Sequence, residues 1–231
     1  MTIGIMQPYF MPYIGYWQLM AAVDRYVVYD NIQYSKGGWI NRNRMLQNGK
    51  DVLFTIPLKK DSDYLDVCQR EISSNFDQQK LLNQIVQNYR KAPFFEEIYP
   101  IIHQCVICDE VNLFNYIFYS LIQIRKILKI ESDLIVSSQL PINHDFKGQD
   151  KVLAICKEMK ANQYVNAIGG QELYDKKVFE DQGIKLNFLR SNVVSYSQYK
   201  NDFVSNLSII DVLMFNGGER TRQLLKEYTL I

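Results

Sequence analysis

Two clusters near the start of the chain hold side chains able to do chemistry. The first is Gln7-Pro8-Tyr9-Phe10-Met11-Pro12-Tyr13-Ile14-Gly15-Tyr16. Gln7, Tyr9, Tyr13 and Tyr16 offer one amide and three phenols. Each phenol combines a flat apolar face with a hydroxyl, which suits nucleotides and sugars. Gly15 has no Cβ and would let a phosphate or an adenine ring come close to the backbone. The second cluster runs Asp30, Asn31, Gln33, Tyr34, Lys36, then Trp39, Asn41, Arg42, Asn43 and Arg44. An arginine flanked by two asparagines can fork onto a phosphate or carboxylate while the amides read hydroxyls. Lys36 adds a mobile point charge. Asp30 is the carboxylate best placed for a general base.

The elements around these residues say where they sit. Thr2–Met6 reads as a short apolar strand, and the two prolines hold off a helix until after Pro12. Apolar spacing predicts a helix over Tyr13–Val23, and the run RYVVY predicts a second strand over Arg25–Tyr29. Strand–helix–strand is the unit of a parallel sheet. Ligands of such sheets lie beyond the carboxyl ends of the strands, where helix N-termini present free N–H groups. Both clusters fall at that edge, with Asp30 ending the second strand and Tyr13 and Tyr16 opening the first helix.

Further along, Arg44–Leu46 and Val52–Phe54 flank an Asn48-Gly49 turn and read as a hairpin. A mainly helical insertion is expected over about 75–130, with Pro93 and Pro100 breaking it and a long apolar helix near Ile101–Leu128. Strands are expected at Asp133–Ser138, Gln163–Ala167 and Ile184–Leu189, with helices over Asp150–Met159, Gln171–Gln182 and Glu219–Tyr228. The apolar run Ser208–Asn216 reads as a last strand. The fold class expected is α/β, a three-layer Rossmann-like parallel sheet, with residues 1–231 forming a single domain.

Other signals are weaker. Gly169-Gly170 follows a strand and could bring backbone amides to a ligand. Cys105 and Cys108 form a lone CxxC in an apolar helical run, so they read as buried thiols rather than a metal or redox site. His103 and His144 are the only two histidines, which rules out a multi-histidine metal centre. His144 lies in a loop before Lys147-Gly148 and is a candidate neighbour of the site. Composition sets the frame: 47% hydrophobic residues and 22% charged residues exclude a disordered chain. Lys and Arg number 26 against 25 acidic residues, so no bulk basic face for nucleic acid is expected. No apolar stretch is long enough for a membrane span, so no membrane insertion is expected. Four cysteines do not make a disulfide framework, and a reducing cytoplasm is the expected compartment.

The opening IMQPYFMPYIGYWQLMAAVDRYVVYDNIQYSKGGWINRNRM resembles the start of WbqC-like proteins. The likeness continues through Asn88–Pro100, the SSQLP loop at Ser137–Pro141, Gly148–Cys156, Tyr164–Ile184 and Leu207–Gly218. Members occur in gene clusters for O-antigen and other surface polysaccharides. The resemblance implies transfer of glycine or another acyl group to a nucleotide-linked amino sugar. A second resemblance is to adenylyl-transferring enzymes such as pantothenate synthetase, and it implies a HUP-type variant of the fold. Tyr13 and Tyr16 stand where those enzymes carry two phosphate-stabilising histidines. On that resemblance the catalytic candidates are Asp30, Lys36, Tyr13 and Tyr16. The substrate or nucleotide would meet Gln7, Tyr9, Gly15, Gln33, Asn41, Arg42, Asn43, Arg44, Gly169 and Gly170. ATP with Mg²⁺ is the implied activating cofactor if activation is by adenylylation, and the partner is a small molecule: a nucleotide-linked sugar, an amino acid or another acyl donor. A non-catalytic nucleotide- or sugar-nucleotide-binding protein is the alternative.

Overall fold

The computed structural model describes residues 1–200 and 202–231. Its centre is a six-stranded sheet in the order β5-β2-β1-β6-β7-β8. The strands are β1 (Thr2–Met6), β2 (Arg25–Val28), β5 (Asp133–Val136), β6 (Gln163–Ala167), β7 (Lys185–Ser191) and β8 (Tyr228–Leu230). All pairings are parallel except β7 with β8. The remaining two strands, β3 (Arg42–Gln47) and β4 (Lys50–Thr55), form a separate antiparallel hairpin with the expected Asn48-Gly49 turn. Winding turns outward in both directions from β1 and β6, so the switch point lies between their carboxyl ends.

Side chains of β1 and β2 alternate between the two faces, as the strand repeat requires. Ile3, Ile5 and Val27 pack with Val152, Ile155 and Cys156 of α5 (Gly148–Glu158) and Phe179 of α6 (Lys176–Glu180). Tyr26 and Val28 pack on the other side with Trp17 and Leu19 of α1 (Ile14–Ala21) and Ile210 and Leu213 of α7 (Ile209–Leu224). That second core continues into α2 (Gln78–Tyr89), α3 (Phe95–Val106) and α4 (Leu113–Leu128), which fill the expected helical stretch. Helices on both faces of a mostly parallel sheet make the three-layer Rossmann-like fold.

Three expectations about elements need correction. Pro100 does not break the helical stretch but lies inside α3, and the break comes at 107–112. There Asn112 caps α4, its side chain accepting from Asn115 N at 3.1 Å. Ser208–Asn216 is not a strand. It is the first part of α7, and residues Ile209 to Gly218 are all buried, so no amphipathic period marks it as a helix. The last strand is β8, which begins at Tyr228, where the expected final helix ends. The expected helix Gln171–Gln182 is a 3₁₀ turn at Ile168–Leu173 followed by α6, which Asp175 caps by accepting from Lys177 N.

Candidate functional site

The turn after β1 is a rigid structure in its own right. Met11 has a left-handed backbone, φ 46°. Its carbonyl accepts from Asn43 Nδ2 at 2.8 Å and from Ser208 Oγ at 2.7 Å. The Pro12 carbonyl accepts from Trp17 Nε1 and from Ile209 N. An unfavourable conformation fixed from three other elements is what a pre-organised loop looks like. Gln7 accepts at Oε1 from Tyr9 OH, and its carbonyl accepts from Tyr16 OH. Tyr16 is 2% exposed and packed at steep angles against Tyr9, Trp17 and Tyr26, and its hydroxyl donates to the Gln7 carbonyl and not to a ligand.

Tyr13 and Gly15 take roles that sequence alone did not reveal. A Cβ on Gly15 would lie 2.5 Å from the Tyr13 ring. The space expected for a phosphate or adenine is thus filled by Tyr13 itself. Burial pushes the phenols of Tyr9, Tyr13 and Tyr16 up, so all three are neutral at physiological pH. The first turn therefore places no cation at the N-terminus of α1 and does not fit an adenylylating phosphate site.

The second cluster divides by strand geometry. Successive side chains on β3 point to opposite faces. Asn41 and Asn43 point inward and are 6% exposed. Asn41 Nδ2 donates to the Ile56 carbonyl and its Oδ1 accepts from Tyr34 OH, while Asn43 holds Met11. Arg42 and Arg44 point outward, with guanidinium carbons 5.7 Å and 5.2 Å from the ring centre of Trp39. Arg44 pairs with Asp51 through Nη1 at 3.1 Å, and its buried Nε has no partner. Arg42 Nε donates to the Gly38 carbonyl. Gln33 and Lys36 lie further out, both bound to Asp63.

These placements bring two expected groups together. Tyr9, Pro12 and Tyr13 from the first turn meet Asn43 and Arg44 from β3 around a cleft of about 300 Å³, completed by Trp39 and Asn206. Trp39 is 42% exposed, so one flank of the cleft is an aromatic face between two guanidiniums. Asp30, Gly169 and Gly170 do not line it. Gly169 is open at the carboxyl end of β6, whereas Gly170 packs against the Asn166 side chain. Asp30 is 1% exposed, and its Oδ1 accepts from Ser137 Oγ and Ser138 N, each at 2.9 Å. Around it stand Asn31, His144, Cys68 and Lys151. Lys151 is 2% exposed, donates to the carbonyls of His144 and Asn31, and lies 5.4 Å from the Tyr29 ring centre. Burial, then Lys147, lowers its amine from the usual 10.5.

Among the described residues, no three His, Cys, Asp or Glu side chains converge as a metal site would. Cys105 and Cys108 are free thiols that burial pushes up, although Cys108 lies past the end of α3. Asn206, Ser137 and Lys151 were not among the expected site residues, and Trp39 was named in the second cluster without a role. Lys151 had a readable signal, since it shares the inward face of α5 with Ile155 and Met159 at helical spacing.

A model of the WbqC-like protein family matches residues 7–223, which takes in both clusters. The chain belongs to the WbqC-like protein family. A Mycobacterium tuberculosis protein described as "Uncharacterized protein Rv1507c" is 27% identical over 231 residues, covering 97% of each chain. No solved structure matches this WbqC-like chain. None of its helices, among the described residues, is long and apolar enough to cross a membrane.

Proposed function

We propose that this chain, working as one unit over residues 1–231, is a transferase that attaches an acyl or aminoacyl group, such as glycine, to a nucleotide-linked amino sugar in surface polysaccharide (O-antigen) synthesis. The observation that carries the reading is the cleft where Tyr9, Tyr13, Trp39 and Arg44 meet. Its aromatic faces suit a sugar or base ring, and the partly exposed Arg44 guanidinium suits an anion such as a diphosphate. Transfer from an already activated donor is favoured over an ATP-dependent ligase, because the Tyr13 ring covers Gly15 where the phosphates of ATP would sit. We place the work in the cytoplasm, in line with four unpaired cysteines.

The test is thermal-shift screening with UDP-sugars, dTDP-amino-sugars and ATP, followed by assay of acyl transfer to the stabilising sugar. Arg44→Ala and Trp39→Ala should remove the stabilisation. If neither variant alters it, the cleft is not the site. A second reading, a sugar-nucleotide-binding protein without turnover, is favoured by the neutral, inward-facing Tyr16 and the absence of a cation on the first turn. Stabilisation without acyl transfer from any donor would support it.

A further inference from the structure

Two of the residues that line the cleft have unlike supports. Arg44 stands on strand β3, whereas Asn206 belongs to the segment between β7 and α7. Asn206 has a left-handed backbone, φ 57°, which an L residue holds when its surroundings impose it. Among the described residues its side chain has one contact, Nδ2 to Ser205 Oγ at 3.4 Å, so most of the amide's capacity is free for a ligand. The backbone is gripped on both sides of it. After it, Ser208 N donates to the Arg44 carbonyl at 2.8 Å and Ser208 Oγ to the Met11 carbonyl at 2.7 Å. Before it, Gln198 holds Val204 by both head atoms: Oε1 accepts from Val204 N at 2.7 Å, and Nε2 donates to the Val204 carbonyl at 3.1 Å.

Gln198 in turn rests on Asp211. Its Nε2 donates to Asp211 Oδ1 at 2.7 Å, beside Tyr196 OH at the same distance. The other oxygen, Oδ2, accepts from Tyr89 OH at 3.0 Å, and Tyr89 OH accepts from Leu46 N at 2.8 Å. Leu46 follows Arg44 by two residues on β3. The directions are fixed. A phenol has one proton, so Tyr89, accepting from Leu46, gives its own to Asp211, and only the oxygen of Gln198 can accept from Val204 N. Asp211 and Tyr89 are fully buried, Gln198 is 1% exposed, and none of the three lines the cleft. Asp211 also stands in the first turn of α7, where free N–H groups favour negative charge. Three donors therefore converge on one carboxylate, two from the segment of Asn206 and one relaying β3.

We propose that Asp211 is the positioning residue of the cleft, tying the segment that carries Asn206 to the strand that carries Arg44 and so setting where the Asn206 amide stands. Asp211 touches no ligand and acts through Asn206. A segment without such an anchor has to be ordered at each binding event, which weakens the complex, whereas Asp211 keeps it ordered in advance. With Arg44 as the cation and Asn206 as a fixed amide, the cleft favours a ligand that pairs an anionic group with a hydroxyl or amide. That consequence rests on the cleft being the ligand site proposed above. The anchoring of the two supports on one carboxylate does not.

Amide hydrogen exchange on the full chain tests the anchor without a ligand. Asp211→Asn leaves one accepting oxygen for three donors, so exchange at Val204 N or Leu46 N should quicken about tenfold or more while Val27 N, in the middle of the sheet, keeps its rate. Natural rates at both Val204 and Leu46 in folded Asp211→Asn overturn the proposal. Titration with UDP-glucosamine tests the consequence. Asp211→Asn should weaken binding about tenfold, Asn206→Ala about as much, and the double variant no more than either alone. Additive losses would show that Asp211 does not act through Asn206 and overturn the proposal. Gln198→Ala cuts the same link nearer to Asn206 and should give the same non-additive loss, which decides the titration if Asp211→Asn does not fold. Failure of the natural protein to bind UDP-glucosamine counts against the function above and leaves exchange to decide this inference.

Discussion

The cleft at Trp39 and the hydrogen-bonded network around Asp30 stand near the same edge of the sheet and handle polarity in opposite ways. The cleft exposes an aromatic face and leaves one donor, Arg44 Nε, without a partner. The network buries Asp30 and Ser137 and pairs nearly every group. The cleft has binding capacity to spare and adds little to stability. The network is committed to the fold.

Substitutions should separate the two regions. The largest loss of stability is expected for Asp30→Ala, which strands Ser137 Oγ and Ser138 N. Urea denaturation should show a loss of about 3 kcal/mol. Lys151→Met keeps the stem but removes the donor to two carbonyls, and should cost about 1 kcal/mol at neutral pH. Here pH gives a further check. Burial makes the ammonium less welcome in the folded than in the unfolded chain. That penalty is full at neutral pH and relieved as pH rises through the lowered value toward 10.5. The stability of the natural protein relative to Lys151→Met should therefore climb with pH over that range. Arg44→Ala breaks only a partly exposed pair with Asp51 and should move stability by about 0.5 kcal/mol or less, while abolishing ligand-induced thermal shifts. Tyr13→Phe should be smallest, leaving the melting temperature unchanged and weakening ligand by a few-fold at most, about 1 kcal/mol. If Arg44→Ala destabilises as much as Asp30→Ala, the contrast between the regions is wrong.

Much of the fold was legible because proline, glycine and β-branched runs punctuate the chain. The strand–helix–strand opening, the Asn48-Gly49 hairpin and the strand at Gln163–Ala167 all follow from that punctuation. The helix at Ile209 was not legible, since burial on every side erases the period that identifies a helix. For the candidate site, sequence placed Tyr9, Tyr13, Asn43 and Arg44 in two clusters, and the fold joins them around one cleft. It could not tell that Asn41 and Asn43 turn away from Arg42 and Arg44, because strand alternation applies only once the strand's limits are known. Nor could it join Asp30 to His144, since the link runs through contacts more than a hundred residues apart.

The outermost strands of the sheet have a consequence of their own. A free strand edge invites pairing with another copy of the chain, and the invitation grows with the length of the edge. Here the borders are β5, with four residues, and β8, with three. β5 also carries Asp133, which pairs with Arg25. By pairing with Leu189–Ser191, the short final strand shortens the free edge that β7 would otherwise offer, so protein lacking β8 should aggregate sooner at high concentration.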